Sequence, residues 1–209
     1  MRKFFWPAVA LCIICVGAAV GIALTNTTKS APRPANRTHR MAWNAIAGKA
    51  PSPSEMNVWH GDHFDIACPE GWELVPREST GVEWMCQDPS RRSVWFGENC
   101  NVAIDDQVKG SERTTQAYFD DTLRVIQNQA DEFIGDEPEP IVLSGIPAVR
   151  ISFTYSRDGR RLAVSSYTMM TAGRGYVLTC TALDSAALQY LATFEAIARS
   201  FKTVSYYTS

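Results

Sequence analysis

Apolar and polar residues alternate in several stretches from about residue 59 onward, which is the pattern of half-buried β-strands. In the first stretch, 63–68, Phe64, Ile66 and Cys68 fall on one face, and Pro69 and Gly71 then interrupt the alternation. The other strands that the pattern predicts are 81–87, 94–105, 141–156, 161–171 and 176–183. The last three of these form an antiparallel meander.

Two other stretches repeat apolar residues at spacings of four and three, the period of an amphipathic helix. The first helix is predicted to start at Ser111 as N-cap and to bury Phe119, Leu123, Ile126, Ala130 and Phe133. The second is predicted to start near Asp184 or Ser185 and to bury Ala187, Leu191, Phe194, Ala198 and Phe201. Three strands, a helix, three or four antiparallel strands and a final helix define an α+β layered domain.

The N-terminal region contains 21 consecutive uncharged residues, 4–24. At about 1.5 Å per residue, a helix of this length spans roughly the core of a bilayer. The run is also longer than the apolar region of about 7–15 residues in a signal peptide. We interpret 1–24 as a membrane anchor, and a cleaved signal peptide, which would leave a secreted domain, is the alternative. A lipoprotein site at Cys15 is not favoured, because bulky Ile13 and Ile14 precede it.

Residues 25–58 are rich in Thr, Asn, Pro, Ala and Arg, which predicts an extended tether before a globular domain at 59–209. The N-terminal region and the rest of the chain also differ in net charge. The first 54 residues carry seven Lys or Arg and no acid, whereas the rest carry 13 basic and 22 acidic residues, a balance of −9. An acidic domain without a basic stripe is a poor candidate for binding nucleic acid.

The cysteines indicate the compartment. Cys12 and Cys15 lie in the predicted anchor, and the domain contains an even set, Cys68, Cys86, Cys100 and Cys180. Such a set after an export-type segment predicts two disulfides, and therefore a domain outside the cytoplasm, in a periplasm, a lumen or at the cell surface. Four cysteines allow three pairings. We predict Cys68–Cys86, which joins successive strands, and Cys100–Cys180, which joins the third strand to the last.

Candidate catalytic chemistry centres on the sequence WHGDH. His60 or His63 could act as a base for a thiolate, and His60, Asp62 and His63 could together hold a metal ion. No motif marks a reactive Cys or Ser nearby, and the domain lacks the paired Cys spacing of structural zinc sites. We therefore assign no catalytic residue, no metal ligand and no cofactor.

Adjacent acidic residues also occur, but neighbours on a strand or helix point in different directions and do not converge on one substrate. The pairs are Asp105-Asp106, Asp120-Asp121 and Asp131-Glu132.

Four tryptophans lie in the first half of the domain. Core packing is the default interpretation, and a partner-binding aromatic patch is the functional alternative. The four are Trp59, Trp72, Trp84 and Trp95.

Four segments together resemble the PsbP-like superfamily, whose members include photosystem II accessory subunits, a Ran-binding release factor and bacterial periplasmic or membrane-anchored proteins. They are FDIACPEGWE, NCNVAID, LSGIPAVRISFTY, and YVLTCTAL followed by FEAIARSF, within about residues 60–203. The resemblance implies an α/β/α sandwich with a central antiparallel sheet of about six strands. It also implies a binding or assembly role, with no catalytic residues to carry over. The four domain cysteines and the missing twin-arginine pair depart from the family pattern.

These observations favour a membrane-tethered extracytoplasmic module that acts through contacts with a protein partner. One alternative is a carrier or sensor of an apolar small molecule held between helix and sheet. The other is an enzyme with a thiol or hydrolase mechanism, which needs a reactive cysteine beside His60 or His63.

Overall fold

The computed structural model describes residues 49–76, 82–91, 96–108, 113–171 and 173–204. Two helices lie within this part of the chain, α1 (Thr115–Gln129) and α2 (Ala187–Ser200). The strands are β1 (Met56–His60), β2 (Phe64–Pro69), β3 (Glu73–Leu74), β4 (Trp84–Gln87), β5 (Asn99–Asp105), β6 (Asp131–Gly135), β7 (Glu139–Leu143), β8 (Ile146–Arg157), β9 (Arg160–Thr171), β10 (Arg174–Leu183) and β11 (Lys202–Thr203). Short 3₁₀ turns are at Pro53–Glu55, Pro89–Arg91, Asp106–Val108 and Asp184–Ala186.

The strands form two antiparallel sheets. The large sheet has the order β3-β4-β5-β10-β9-β8-β6, and β7 pairs with the first part of β8. The small sheet has the order β1-β2-β11. The predicted α+β class with a large antiparallel sheet and two helices is confirmed. The predicted number of about six strands is too low, because the large sheet has eight and a second sheet of three accompanies it.

A buried core lies on each face of the large sheet. On one face, α2 and the small sheet cover apolar side chains that include Val102, Tyr176 and Leu178. On the other face, α1 covers Val149, Ile151, Phe153 and Tyr155 of β8, which the alternation had placed on one side. The two helices therefore flank the large sheet on opposite faces.

The predicted long strand at 141–156 is a hairpin. Ser144 and Gly145 have φ values of 48° and 86°, the left-handed backbone of a tight two-residue turn, and they separate β7 from β8. The predicted turn at Asp158-Gly159 is confirmed, with φ values of 50° and 73°.

Helix α1 starts and ends differently from the prediction. Its N-cap is Thr114, whose Oγ1 accepts a hydrogen bond from the Ala117 N–H at 3.1 Å, whereas Ser111 lies outside the described residues. The helix ends at Gln129, and Phe133 belongs to β6, where its ring lies 5.1 Å from that of Phe153. The helical spacing through Phe133 was therefore coincidental.

Helix α2 follows the prediction closely. A 3₁₀ turn at Asp184–Ala186 leads into it, and all five predicted core residues are buried: Ala187, Leu191, Phe194, Ala198 and Phe201.

The predicted anchor, 4–24, and most of the predicted tether lie outside the described residues. Within the described part of the chain, no helix is long and apolar enough to cross a membrane. Strand β1 starts at Met56, three residues before the predicted domain boundary.

Buried tyrosines make the stability of the domain sensitive to alkaline pH. Burial raises the pKa of the Tyr167 hydroxyl to about 12, and the Glu195 carboxylate acts in the same direction. An unfolded chain releases this proton near pH 10. Above that pH, ionisation lowers the free energy of the unfolded state, while the buried tyrosine of the folded state is still protonated. The stabilisation is complete below about pH 10 and is lost as the pH rises towards about 12.

We therefore expect the free energy of unfolding, measured with urea, to be lower at about pH 11 than at about pH 9. Burial raises the pKa of Tyr118, Tyr155 and Tyr176 as well, so Tyr167→Phe should remove only part of the decrease. A stability that is flat over this range would contradict the expectation.

Candidate binding edge in the first hairpin

The WHGDH sequence forms the turn between β1 and β2. The indole of Trp59 folds across Gly61, where an added Cβ would lie 2.1 Å from ring atom Cη2. Its ring centroid is 5.2 Å from that of Phe64, a fully buried residue of the core. Gly61 thus permits a close contact that fixes the hairpin against the domain.

His60 and His63 make separate contacts. His60 is 74% exposed, and its Nδ1 lies 3.0 Å from Oδ1 of Asp65, its cross-strand neighbour. The backbone oxygen of His63 accepts a hydrogen bond from the N–H of Val204. Within the described ranges, no three His, Cys, Asp or Glu side chains come together in a way that could hold a metal ion.

All four domain cysteines form disulfides, with the predicted pairing. Cys68–Cys86 has a Cα–Cα distance of 6.1 Å and joins β2 of the small sheet to β4 of the large one. Cys100–Cys180 has a Cα–Cα distance of 4.0 Å and joins neighbouring strands β5 and β10. All four are buried, which is typical of structural rather than reactive cysteines. The two bonds indicate that the domain folds in an oxidising compartment outside the cytoplasm.

The tryptophans have separate environments. Trp72 is half-buried, with its ring 6.0 Å from that of Tyr190 in α2. Trp84 is only 3% exposed and packs in the core, so it presents no surface to a partner. Trp95 lies outside the described residues. The structure therefore leaves Trp59 and Trp72 as the described tryptophans nearest to the surface.

The adjacent acids differ in burial or in partner in the first two pairs. Asp105 is buried, whereas its neighbour Asp106 forms an ion pair with Arg174 at 2.6 Å. Other contacts of these acids include the ion pairs Asp121–Arg113 and Asp121–Arg124, and the hydrogen bonds Gln116–Asp120 and Ser156–Glu132.

One group of polar side chains was not predicted. Asn99, Asn101 and Thr179 lie side by side on the α1 face of β5 and β10, almost fully buried. The Oδ1 atoms of both asparagines and the Thr179 Oγ1 have no hydrogen-bond partner. This group lies inside the core, where a protein partner cannot reach it without opening the domain.

Strand β1 is an accessible feature of this half of the domain. Asn57, Val58 and His60 are exposed, and Val58 is 56% exposed although it is apolar. On its inner side β1 pairs with β2 over its full length. The first hairpin therefore presents a well-supported strand with an accessible outer side.

The geometry defines an α+β domain, held by two disulfides, with helices on both faces of a large antiparallel sheet. This is the PsbP-like fold. CyanoP, the PsbP of the cyanobacterium Synechocystis sp. PCC 6803, matches with a TM-score of 0.53 and 15% identity over 73% of this chain and 95% of that protein.

Two further solved structures are similar at lower TM-scores. LpqN of Mycobacterium tuberculosis, described as involved in cell envelope biogenesis, has a TM-score of 0.49 and 17% identity over 72% of this chain and 91% of its own. The Ran-binding protein Mog1p of Saccharomyces cerevisiae has a TM-score of 0.47 and 10% identity over 71% of this chain and 96% of its own. No family model and no curated protein matches the sequence. At 15% identity, the likeness to CyanoP establishes the fold alone.

Proposed function

We propose that the protein is a membrane-tethered, extracytoplasmic binding or assembly module that acts through protein contacts and is not an enzyme. The observation that carries this proposal is the exposed β1 strand, which follows the tether directly and is held rigidly by β2 and Trp59. A rigid surface loses little conformational entropy when a partner binds.

The bonds and contacts of the cysteines and of His60 support the same proposal. A thiol mechanism needs a free thiolate, and the four domain cysteines are paired in disulfides. The imidazole of His60 contacts Asp65 at the exposed surface.

The packing at the helices favours protein contacts over the carriage of an apolar molecule. Phe194 and Ile197 of α2 fill the space against one face of the large sheet, and Phe119 and Ile126 of α1 fill it against the other. Each of these side chains is at most 2% exposed. An apolar ligand between helix and sheet would have to displace them.

The tethering part of the proposal assigns residues 4–24 to the membrane and 25–55 to the link. We expect the full chain to stay in the membrane fraction after extraction at alkaline pH, with residues 1–24 still present by mass spectrometry. A soluble chain that starts after residue 24 would show instead that the segment is cleaved.

Protein contact is tested by photo-crosslinking of the full chain in its native membrane. A crosslinkable amino acid is placed at one of three exposed apolar positions, Val58, Val142 or Leu188. We expect one protein to be captured from a subset of these positions, and the same protein, once purified, to bind the purified full chain in calorimetry. Failure of every position to capture a protein, together with co-purification of a lipid, would overturn the proposal.

A further inference from the structure

The outer side of β1 is an unpaired sheet edge. The strand pairs with β2 from Met56 opposite Pro69 to His60 opposite Asp65, and no strand among the described residues pairs with its other side. An unpaired edge offers a row of backbone N–H and C=O groups to an incoming strand.

The register shows which residues provide these groups. The Gly61 N–H donates to the Phe64 oxygen, and the Glu70 N–H donates to the Glu55 oxygen. Hydrogen-bonded and non-hydrogen-bonded pairs alternate along antiparallel strands. Asn57 and Trp59 are therefore in hydrogen-bonded pairs with β2. Met56, Val58 and His60 direct their N–H and C=O groups outward.

The other described edges have features that hinder strand addition, and β1 has none of them. Strand β7 begins with Glu139 and Pro140, and β6 has an irregular register and the acids Asp131 and Glu132. Strands β3 and β11 have two residues each. Strand β1 has five residues, with no proline, lysine or acid. Charge, proline and short length are the usual protections of an edge.

Charge indicates the kind of segment that fits this edge. The stretch 50–76 contains five acids and no lysine or arginine; the acids are Glu55, Asp62, Asp65, Glu70 and Glu73. Two copies pairing edge to edge would bring like charges together, which is unfavourable. A basic segment would instead gain electrostatic complementarity.

We propose that the outer edge of β1 binds an extended, basic segment of a protein partner as an added strand. Backbone hydrogen bonds to Met56, Val58 and His60 hold the segment, and its lysines or arginines face the acids around the hairpin. The inference rests on the proposed function, because it specifies where a protein partner binds.

The test uses the full chain in detergent micelles and a fluorescent peptide of alternating lysine and valine. A peptide of alternating glutamate and valine of the same length is the control for charge. We expect fluorescence anisotropy to show binding of the lysine peptide and much weaker binding of the glutamate peptide. Equal binding of the two, or no binding of the lysine peptide, would overturn the proposal.

Val58→Pro is the decisive variant. It removes an outward N–H and leaves the β1–β2 hydrogen bonds in place, so affinity should fall about tenfold or more. Val58→Thr keeps the N–H and should bind almost as the unchanged chain does. Val142→Pro is the matched control, because Val142 is an exposed edge valine opposite Pro147, which has no N–H to donate. Unchanged affinity in Val58→Pro would contradict the proposal.

Hydrogen exchange separates strand addition from loose electrostatic binding. In the free protein, the amides of Met56, Val58 and His60 should exchange quickly, and those of Asn57 and Trp59 slowly. The peptide should protect the first three. Binding without this protection, or a dimer that Val58→Pro abolishes, would overturn the proposal. If crosslinking captures a partner whose affinity Val58→Pro leaves unchanged, the edge is wrong while the proposed function stands.

Discussion

Replacing both Cys100 and Cys180 with alanine should destabilise the domain more than replacing Cys68 and Cys86. The first pair closes a loop with a sequence separation of 80, and the second a loop of 18. On the chain-entropy account, these bonds stabilise the fold by about 4–5 and about 3 kcal/mol respectively, because the longer loop restricts the unfolded chain more.

The comparison between the two double variants isolates the effect of loop length. All four cysteines are buried, so both replacements remove similar small side chains from the core. The difference in the free energy of unfolding, measured with urea under non-reducing conditions, should be about 1 kcal/mol. A larger loss of stability in the variant that lacks Cys68–Cys86 would contradict the entropic account. It would show that this disulfide stabilises the attachment of the small sheet in the folded state.

The elements that the sequence predicted well are those whose local pattern agrees with their tertiary contacts. In α2, every predicted core residue is buried, because the apolar spacing matches one covered face. The face of β8 was equally predictable, since the α1 side of the sheet buries alternate residues. The predicted cysteine pairing is also confirmed, because β5 lies next to β10 and places Cys100 directly opposite Cys180.

The elements that were missed depend on contacts distant in sequence. Strand β1, MNVWH, has no clean alternation and follows a linker-like composition, and it is a strand because β2 provides its hydrogen bonds. Ser144 and Gly145 resembled part of a continuous strand, since nothing local marks their left-handed backbone except the glycine.

The candidate site was only half predicted, for the same reason. The sequence singled out Trp59, His60 and His63 by residue type, with chemistry in view. In the structure, Trp59 packs on Phe64 and supports the hairpin. The accessible groups are those of the outer backbone of β1. Backbone groups carry no sequence signal, so an open edge becomes visible only when the pairing of every described strand is known.

Phe201→Ala should be among the most damaging single substitutions in the domain. Phe201 is fully buried at the end of α2, where its ring stacks 5.3 Å from Phe64 and lies edge-on 5.5 Å from Tyr176. These contacts join the helix, the small sheet and the large sheet. Truncation of a buried phenylalanine costs about 3–5 kcal/mol, and the melting temperature of a domain of this size should fall by about 10 °C.

The loss of stability should also affect the outer edge of β1, because Phe64 is the first residue of β2 and packs against the ring of Trp59. In Phe201→Ala, the slowly exchanging amides of Asn57 and Trp59 should lose more protection than those of β9, at the centre of the large sheet. Leu188→Ala is the control on the same helix, since Leu188 is 51% exposed and should change stability by at most about 0.5 kcal/mol. A loss in Phe201→Ala as small as this, or loss of protection spread evenly over both sheets, would show that the aromatic contacts do not attach the first hairpin to the domain.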